Sequence, residues 1–275
     1  MLYFVKLGGS VITDKGRAYT ARREVIVRLA QEVRRALEIR SDLHLLIGHG
    51  SGSFGHWAAA PYGTREGVRA AADWRGYAEV AAAAARLNRL VTDVFLETGV
   101  PVFSIQPSAS ARCSDGKLVY LDVGPIREGL GRGLVPLVYG DVALDEVRGG
   151  TVASTEDLFV YLSGELEPDR ILLLSRVPGV LGPDGELVPR ITPEDLSDLR
   201  GPLAGSQSVD VTGGMADKVE RMVELVRRRP RITVDILPGD RPGLLARCLL
   251  EDGLAAGTRI HNPDHRRNPE GKRGV

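Results

Sequence analysis

The sequence has little cysteine, no long apolar run and no excess of either charge. Its 275 residues include two cysteines, Cys113 and Cys248, which form no disulfide framework and fit no metal-ligand spacing. No stretch reaches the ~18 apolar residues that a membrane helix needs, and no secretory leader pattern is present. Lys+Arg and Asp+Glu both number 36, so no overall charge recruits nucleic acid or an anionic membrane. We expect a soluble cytoplasmic protein that binds a small molecule and holds no metal through its own side chains.

Lysine is also rare in this chain, and its positions carry information. Only five of the 36 basic residues are lysines, and three of these, Lys6, Lys15 and Lys218, lie at glycine-rich turns. A compact ammonium group enters a crowded phosphate site that a planar guanidinium does not fit. This distribution favours a phosphate-binding role for the three lysines over solvated surface positions.

One of the glycine turns, residues 48–56, reads GHGSGSFGH and contains the pattern G-x-G-x-x-G directly after a predicted strand. In a dinucleotide-binding unit that pattern opens a helix at once and is followed, ~20 residues later, by an acidic residue at the end of a second strand. Pro61 and Gly63 are expected to interrupt such a helix. The turn therefore favours a phosphate cradle of backbone N–H groups, edged by His49 and His56, over a nicotinamide site.

Short apolar runs alternate with amphipathic stretches along the chain. Strands that are apolar throughout, separated by helices, predict an α/β fold with a mainly parallel sheet covered on both faces. The predicted strands are 2–7, 43–48, 100–105, 170–175 and 232–237, and the predicted helices cover 26–37, 77–94 and 215–226. Residues 115–122 and 131–154 are expected to form inserted β-hairpins. The last glycine turn should begin a helix capped by Thr212, with Gly213 and Gly214 in its first turn.

Four motifs, in this order, resemble the amino acid kinase superfamily and, within it, the isopentenyl phosphate kinases. They are KLGGSVITDK (6–15), GHGSGSFGH (48–56), GYAEVAAAAARLNRLVTDVFLETGVP (76–101) and DVTGGMADKV (210–219). The resemblance spans residues 2 to about 260, and the histidine that ends GSFGH is typical of members that phosphorylate a phosphate. It implies an αβα three-layer sandwich in which residues 1–165 form an acceptor-phosphate-binding lobe and residues 166–275 an ATP-binding lobe, sharing one sheet in a single continuous domain. It further implies a homodimer that phosphorylates isopentenyl phosphate to isopentenyl diphosphate with ATP and Mg2+.

The resemblance also implies roles for individual residues. Lys6 and Lys218 would hold the transferring phosphoryl group, Lys15 would stabilise the transition state, and Asp157 would orient the lysines. His56 would donate a hydrogen bond to the acceptor phosphate and would not act as a base, because a phosphate monoester is already largely dianionic at neutral pH. The nucleotide would contact Gly8, Gly9, Ser10, Gly52, Arg176 and Gly214, and the acceptor phosphate would lie near Ser51 and Thr155.

The chain departs from the family pattern at three places. Ser51 stands where a third glycine is usual, STED replaces SGDD, and SRVPG replaces TDVDG, which puts Arg176 where an acidic residue is usual. Ser51 is compatible with a phosphate cradle if its φ is negative. Two other functions stay open: a kinase for another small phosphate or phosphonate, similar to fosfomycin kinase, and a non-catalytic anion-binding or storage protein.

Four further residues each have two interpretations. His49 is either a buried anchor of the loop, which we favour, or a ligand contact. Asp141 either closes a turn or touches the acceptor pocket. Tyr77 and Val80 either belong to the core or form the wall of an apolar slot for an isoprenoid chain.

Overall fold

A central eight-stranded sheet organises the computed structural model, which describes residues 1–182, 184–196, 214–254 and 256–263. Its strand order is β10-β12-β11-β9-β1-β2-β6-β3, and a second sheet has the order β5-β4-β7-β8. The strands are β1 Leu2–Leu7, β2 His44–His49, β3 Val102–Ser104, β4 Arg112–Ser114, β5 Lys117–Tyr120, β6 Val135–Tyr139, β7 Asp141–Asp145, β8 Gly149–Ala153, β9 Arg170–Ser175, β10 Arg190–Ile191, β11 Thr233–Pro238 and β12 Thr258–Ile260.

Eight helices accompany these strands in the described part of the chain. They are α1 Gly9–Ile12, α2 Arg23–Ile39, α3 Gly52–Ala59, α4 Ala71–Glu97, α5 Gly124–Gly131, α6 Thr155–Leu166, α7 Met215–Arg228 and α8 Leu244–Leu250, with a 3-10 turn at Pro107–Ala109. None of them combines the length and the apolar character that crossing a membrane requires.

The central sheet is covered by helices on both faces. On one face Tyr3, Val5 and Leu7 of β1 belong to a buried cluster with residues of α2, α4 and α8. On the other face Phe4 belongs to a second cluster with residues of α5, α6 and α7. Because successive side chains of a strand point to opposite faces, an apolar run such as LYFVKL fills both layers. The predicted αβα three-layer sandwich is confirmed.

Most of the central sheet is parallel. The pairs β1–β2, β1–β9, β9–β11, β2–β6 and β3–β6 are parallel, whereas β12 runs antiparallel to β11. Strands from the first 165 residues form one half of this sheet and later strands the other, with β1 and β9 adjacent at the centre. The division into two functional lobes remains a prediction. The carboxyl ends of β1, β2 and β9 lie at the same edge, where parallel α/β sheets place their ligand sites.

Two local predictions were wrong. Residues 131–154 do not form hairpin material throughout, because β6 enters the central sheet between β2 and β3, and only β7 and β8 form the hairpin. The apolar composition of β6, which is fully buried, explains this placement. The turn at 48–56 does open a helix directly, since α3 begins at Gly52 and runs for eight residues before the chain reaches Pro61. The three predicted helices and five predicted strands are confirmed. Most of the strand ends differ from the predicted ones by one or two residues.

Asp145 joins the two hairpins of the smaller sheet. Its carboxylate accepts backbone hydrogen bonds from Asp115 and Gly116, in the turn after β4, and from Val147 and Arg148, in the turn after β7, at 2.7–3.1 Å. Burial raises the pKa of this carboxyl, but the four N–H donors outweigh it and the net pKa is lowered. The ionised form of Asp145 is therefore a structural part of this sheet.

Candidate active site

Two glycine loops meet at the carboxyl edge of the sheet. The loop from β1 into α1 approaches the loop from β2 into α3 so closely that a Cβ on Gly9 would lie 2.6 Å from the Gly52 amide nitrogen. Gly52 also has a φ of +51°, a conformation that L side chains rarely adopt. Ser51 has a φ of −71°, which meets the condition under which a serine fits the cradle. Contact between the two backbones thus requires glycine at positions 9 and 52.

A cleft opens where these loops meet, with an empty volume of about 1050 Å³ that includes its mouth. Its wall contains most of the residues that the sequence singled out, drawn from β1, α1, α3, α6 and α7 and from the loops that adjoin α1 and α3. These are Lys6, Gly8, Gly9, Ser10, Lys15, Ser51, Gly52, His56, Thr155 and Lys218. The structure therefore brings the three lysines and His56 to one cavity.

Lys6 and Lys218 act on one buried carboxylate, that of Glu156. Lys6 is 7% exposed, and its ammonium donates to Glu156 Oε1. Burial raises the pKa of Glu156, but the positive charges of Lys6 and Lys218 lower it more strongly, to about 2. Lys6 is the next-to-last residue of β1 and Lys218 lies in the first turns of α7, so the charge of Glu156 acts on both of these elements. At neutral pH this group is ionised, pairs with the ammonium of Lys6 and attracts that of Lys218.

The family resemblance implied that Asp157 orients the lysines, but the carboxylate that contacts Lys6 is that of Glu156. Asp157 completes a capping box: its Oδ2 accepts from the Ser154 amide and hydroxyl, and the Ser154 hydroxyl accepts from the Asp157 amide. Its other oxygen pairs with Arg221 of α7. Asp157 is absent from the cavity wall, so its contacts fix the start of α6 and the neighbouring α7.

Two predicted nucleotide contacts also lie outside the cavity wall. Arg176 is exposed and directly follows β9, whose last residue, Ser175, does line the cavity. Gly214 is the N-cap residue of α7 and is half-buried, so it precedes the helix and is not part of its first turn. Thr212 and Gly213 lie outside the described residues.

His56 and Lys15 both line the cavity, and the two segments that carry them are hydrogen-bonded to each other. His56 is half-buried in the last turn of α3. Lys15 is exposed in the loop after α1, whose base is closed by a β-bridge between Thr13 and Ala21. The Thr20 amide of that loop donates to the Ser53 hydroxyl of α3 at 3.2 Å, which ties the Lys15 loop to the His56 helix.

His49 is a buried residue that anchors the loop, which is the interpretation that we favoured from the sequence. It has no exposed surface, its Nε2 lies 3.2 Å from Asn88 Oδ1, and its ring stacks on Tyr139 at 5.6 Å. Burial lowers its pKa to about 4, so the imidazole is neutral at physiological pH. The Thr155 hydroxyl donates to the His49 carbonyl at 2.7 Å, which fixes Thr155 at the cavity wall.

One side of the cavity is apolar. Ala59, Val80, Ala84 and Val152 line it, so Val80 is both buried and part of the wall, whereas Tyr77 is not in the wall.

Asp141 also lines the cavity and is 1% exposed. Its oxygens accept from the amides of Ser108 and Val142 at 3.1 and 2.9 Å. Burial raises its pKa, and the hydrogen bonds to Ser108 and Val142 oppose this only in part. Asp141 thus anchors the 3-10 turn at Pro107–Ala109 to the start of β7 and borders the cavity, and its contact with the acceptor stays a prediction.

Among the described residues of the wall, sequence reasoning missed two charged ones, Glu156 and Arg65. The signal for Glu156 was available: in STED the serine and the aspartate three residues later form a capping pair, which leaves the intervening glutamate to face the lysines. Nothing in the sequence around Arg65 distinguishes it from the many other arginines. Within the described part of the chain, no cluster of three or more His, Cys, Asp or Glu side chains stands at metal-binding distance.

The fold is a three-layer αβα sandwich in which lysines from several elements and two glycine turns border one cleft. This combination defines a phosphate-handling protein of the kinase type. The sequence model of the amino acid kinase family matches residues 1–236, and the chain belongs to this family. An isopentenyl phosphate kinase of Methanocaldococcus jannaschii is 33% identical over 266 residues, covering 94% of this chain and 98% of the relative. Another, of Haloferax volcanii, is 40% identical over 225 residues, covering 82% of this chain and 88% of the relative.

Solved structures agree with these relatives. The X-ray structure of an isopentenyl phosphate kinase superposes with a TM-score of 0.79 at 32% identity, covering 94% of this chain and all of the other. The resemblance that the four motifs indicated, and the prediction of a kinase of this family, are confirmed.

Proposed function

We propose that the protein is an ATP-dependent isopentenyl phosphate kinase, which transfers the γ-phosphoryl group of ATP to the phosphate of isopentenyl phosphate. The observation that carries this proposal is the meeting of Lys6, Lys218 and His56 in one cavity beside two glycine loops. Relatives of that name, similar over nearly the whole length of the chain, support it. The product would be isopentenyl diphosphate.

The chemistry of this transfer matches the residues present. The acceptor is largely a dianion at neutral pH and attacks without a general base, so the obstacle is repulsion between two anions. In the proposal Lys6 and Lys218 bind the transferring phosphoryl group, Lys15 neutralises charge that develops in the transition state, and His56 donates to the acceptor phosphate. Glu156 holds Lys6 and Lys218 in position, which reduces the reorganisation needed at the moment of transfer.

The nucleotide fits the glycine loops. Backbone N–H groups at the starts of helices favour anions, and glycine allows the chain to approach phosphate oxygens closely. We assign Gly8, Gly9, Ser10 and Gly52 to these phosphates, with Ser51 and Thr155 near the acceptor phosphate. Arg176 and Gly214 stay assigned to the nucleotide as predictions. Asp157 acts in this proposal through its contacts with Ser154 and Arg221.

Mg2+ is proposed to accompany the nucleotide. Without three or more carboxylates, histidines or cysteines gathered in the described residues, the nucleotide phosphates would supply most of its ligands. When bound, the ion would supply further neutralisation of phosphate charge. A homodimer and a cytoplasmic location are likewise proposed by analogy with the family.

The apolar side of the cavity suits an isoprenoid tail. Ala59, Val80, Ala84 and Val152 offer no hydrogen bond, and the tail needs none. A pocket of this kind selects by depth and shape, at about 1–3 kcal/mol per methylene group. We therefore expect modest selectivity among short prenyl phosphates.

The test is turnover by purified protein with Mg-ATP and a panel of acceptors. We expect isopentenyl phosphate to give a diphosphate, detected by phosphorus NMR, at a kcat/KM far above that for fosfomycin. Lys6→Ala should abolish this activity, and Lys117→Ala, which removes a lysine exposed on β5, should not. Preference for fosfomycin or another phosphonate would overturn the proposal in favour of a sister kinase. Absence of turnover with every acceptor would favour the anion-binding alternative.

A further inference from the structure

Arg65 is a charged residue of the cavity wall that the proposed function leaves without a role. It lies in the segment 60–70 between α3 and α4, and its side chain is half-buried against the cleft. Among the described residues of the wall it is the sole arginine, in company with the ammonium groups of Lys6, Lys15 and Lys218. A guanidinium in this position offers two parallel N–H donors to a phosphate, which an ammonium does not.

The backbone around Arg65 is fixed to the first half of the chain. The Thr151 hydroxyl of β8 donates to the Arg65 carbonyl at 2.9 Å, and the Val68 amide donates to the Arg148 carbonyl at 2.9 Å. The neighbouring Val152 of β8 belongs to the apolar wall of the cavity. Arg65 therefore enters the cavity from the acceptor side, where α3 also presents His56.

The positive charge of Arg65 acts on a second guanidinium, that of Arg221 on α7, which lies outside the cavity wall. Burial lowers the pKa of Arg221, the charge of Arg65 lowers it further, and Glu156 partly opposes both. Arg221 is held by its ion pair with Asp157, so it does not turn away from this like charge. Arg65 thus adds to the positive charge that Lys6, Lys15 and Lys218 bring to the cavity wall, which favours a ligand of high negative charge.

We propose that Arg65 binds the acceptor phosphate and favours a doubly charged phosphate monoester over a singly charged acceptor. This inference rests on the proposed function, because it assigns Arg65 to the acceptor of that reaction and not to the nucleotide. Arg65 is a binding residue in this account: the reaction needs no base, and the guanidinium adds charge and orientation where His56 adds one hydrogen bond.

The chain supplies a matched control at Arg69. It lies in the same segment, is exposed, and is absent from the cavity wall. Arg65→Gln and Arg69→Gln remove the same charge from the same segment, so a long-range effect of net charge would appear in both. Arg65→Lys keeps the charge but loses the planar pair of donors.

Steady-state kinetics with the acceptor and ATP varied separately test the inference. We expect Arg65→Gln to raise the KM for isopentenyl phosphate at least about tenfold, as loss of a charge-assisted hydrogen bond predicts, with the KM for ATP changed less than about twofold. Arg65→Lys should give an intermediate KM, and Arg69→Gln should match the wild type. Equal KM values in Arg65→Gln and Arg69→Gln, or an increase confined to the KM for ATP, would overturn the inference.

Failure of the proposed function would look different. Wild-type protein that does not phosphorylate isopentenyl phosphate refutes that function, and the four proteins are then compared on whichever acceptor the wild type uses. If the wild type uses none, calorimetric titration with inorganic phosphate replaces the kinetics. Weaker phosphate binding in Arg65→Gln than in Arg69→Gln would support the role of Arg65, and equal binding would refute it.

Discussion

Replacing Glu156 by glutamine removes the negative charge that pairs with Lys6 and attracts Lys218, and keeps the shape of the side chain. In the wild type the pKa of this carboxyl falls from an ordinary 4.5 to about 2. At about 1.36 kcal/mol for each pKa unit, the folded protein favours the ionised form by about 3 kcal/mol. The Glu156 side chain is 12% exposed, so solvent screens this interaction only weakly.

The sign of the pH dependence follows from the lowered pKa. The stabilisation is fully present above the unfolded-state value of 4.5 and is lost as the pH falls towards 2, with about 2 kcal/mol lost by pH 3. Glu156→Gln should lack this part of the pH dependence. Urea unfolding of both proteins between pH 7 and pH 3 measures it, with Glu165→Gln, an exposed substitution on the same helix, as the control.

Activity gives a second measure of the same substitution. Without Glu156 the cavity is more positive, so ATP should bind at least as tightly, but Lys6 loses the partner that fixes it. We expect kcat to fall about tenfold or more with no increase in the KM for ATP. Parallel pH profiles of unfolding for the wild type and Glu156→Gln would refute the assignment of this carboxylate to the lysines.

Three further substitutions test other parts of the structure. His56→Ala should raise the KM for the acceptor about tenfold and leave ATP binding, measured by calorimetry, unchanged. Gly9→Ala places a Cβ 2.6 Å from the Gly52 amide nitrogen, so the loops must separate; the KM for ATP should rise, and thermal unfolding should show a loss of about 1–3 kcal/mol. Asp145→Asn turns an NH2 group towards backbone donors and should lower the free energy of unfolding in urea by about 2–3 kcal/mol, whereas intact stability would contradict the role of its carboxylate.

The layer structure of the fold was predictable from the sequence because burial on both faces leaves a direct pattern. The runs at 2–7 and 170–175 are apolar at almost every position, and the structure pairs them in parallel at the centre of the sheet. The run at 135–139 is equally apolar, but it was predicted to belong to the inserted hairpin of residues 131–154. Strand partners depend on contacts between distant residues, which a local pattern does not contain.

The site was predictable to the extent that glycine and lysine mark it. Three lysines in a chain that otherwise uses arginine, each beside glycines, identified the cavity without any knowledge of its shape. Arg65 escaped notice because it is one of 31 arginines, 36 basic residues less five lysines, and only the path of the segment 60–70 brings it to the cleft. Rare residues reveal a site from the sequence, whereas common ones become visible only in the structure.

Local charge, and not the overall charge, determines what this cavity binds. The whole chain has a formal net charge of zero. The described residues of the cavity wall nevertheless include four basic side chains and only two carboxylates; the basic ones are Lys6, Lys15, Arg65 and Lys218. One of the two carboxylates, Asp141, has a pKa raised by burial, whereas Glu156 is ionised and offsets one cation. A cavity with no carboxylate at all would bind phosphates but would hold its lysines apart by repulsion. Glu156 thus keeps two lysines together in a cavity that still has a net attraction for phosphate.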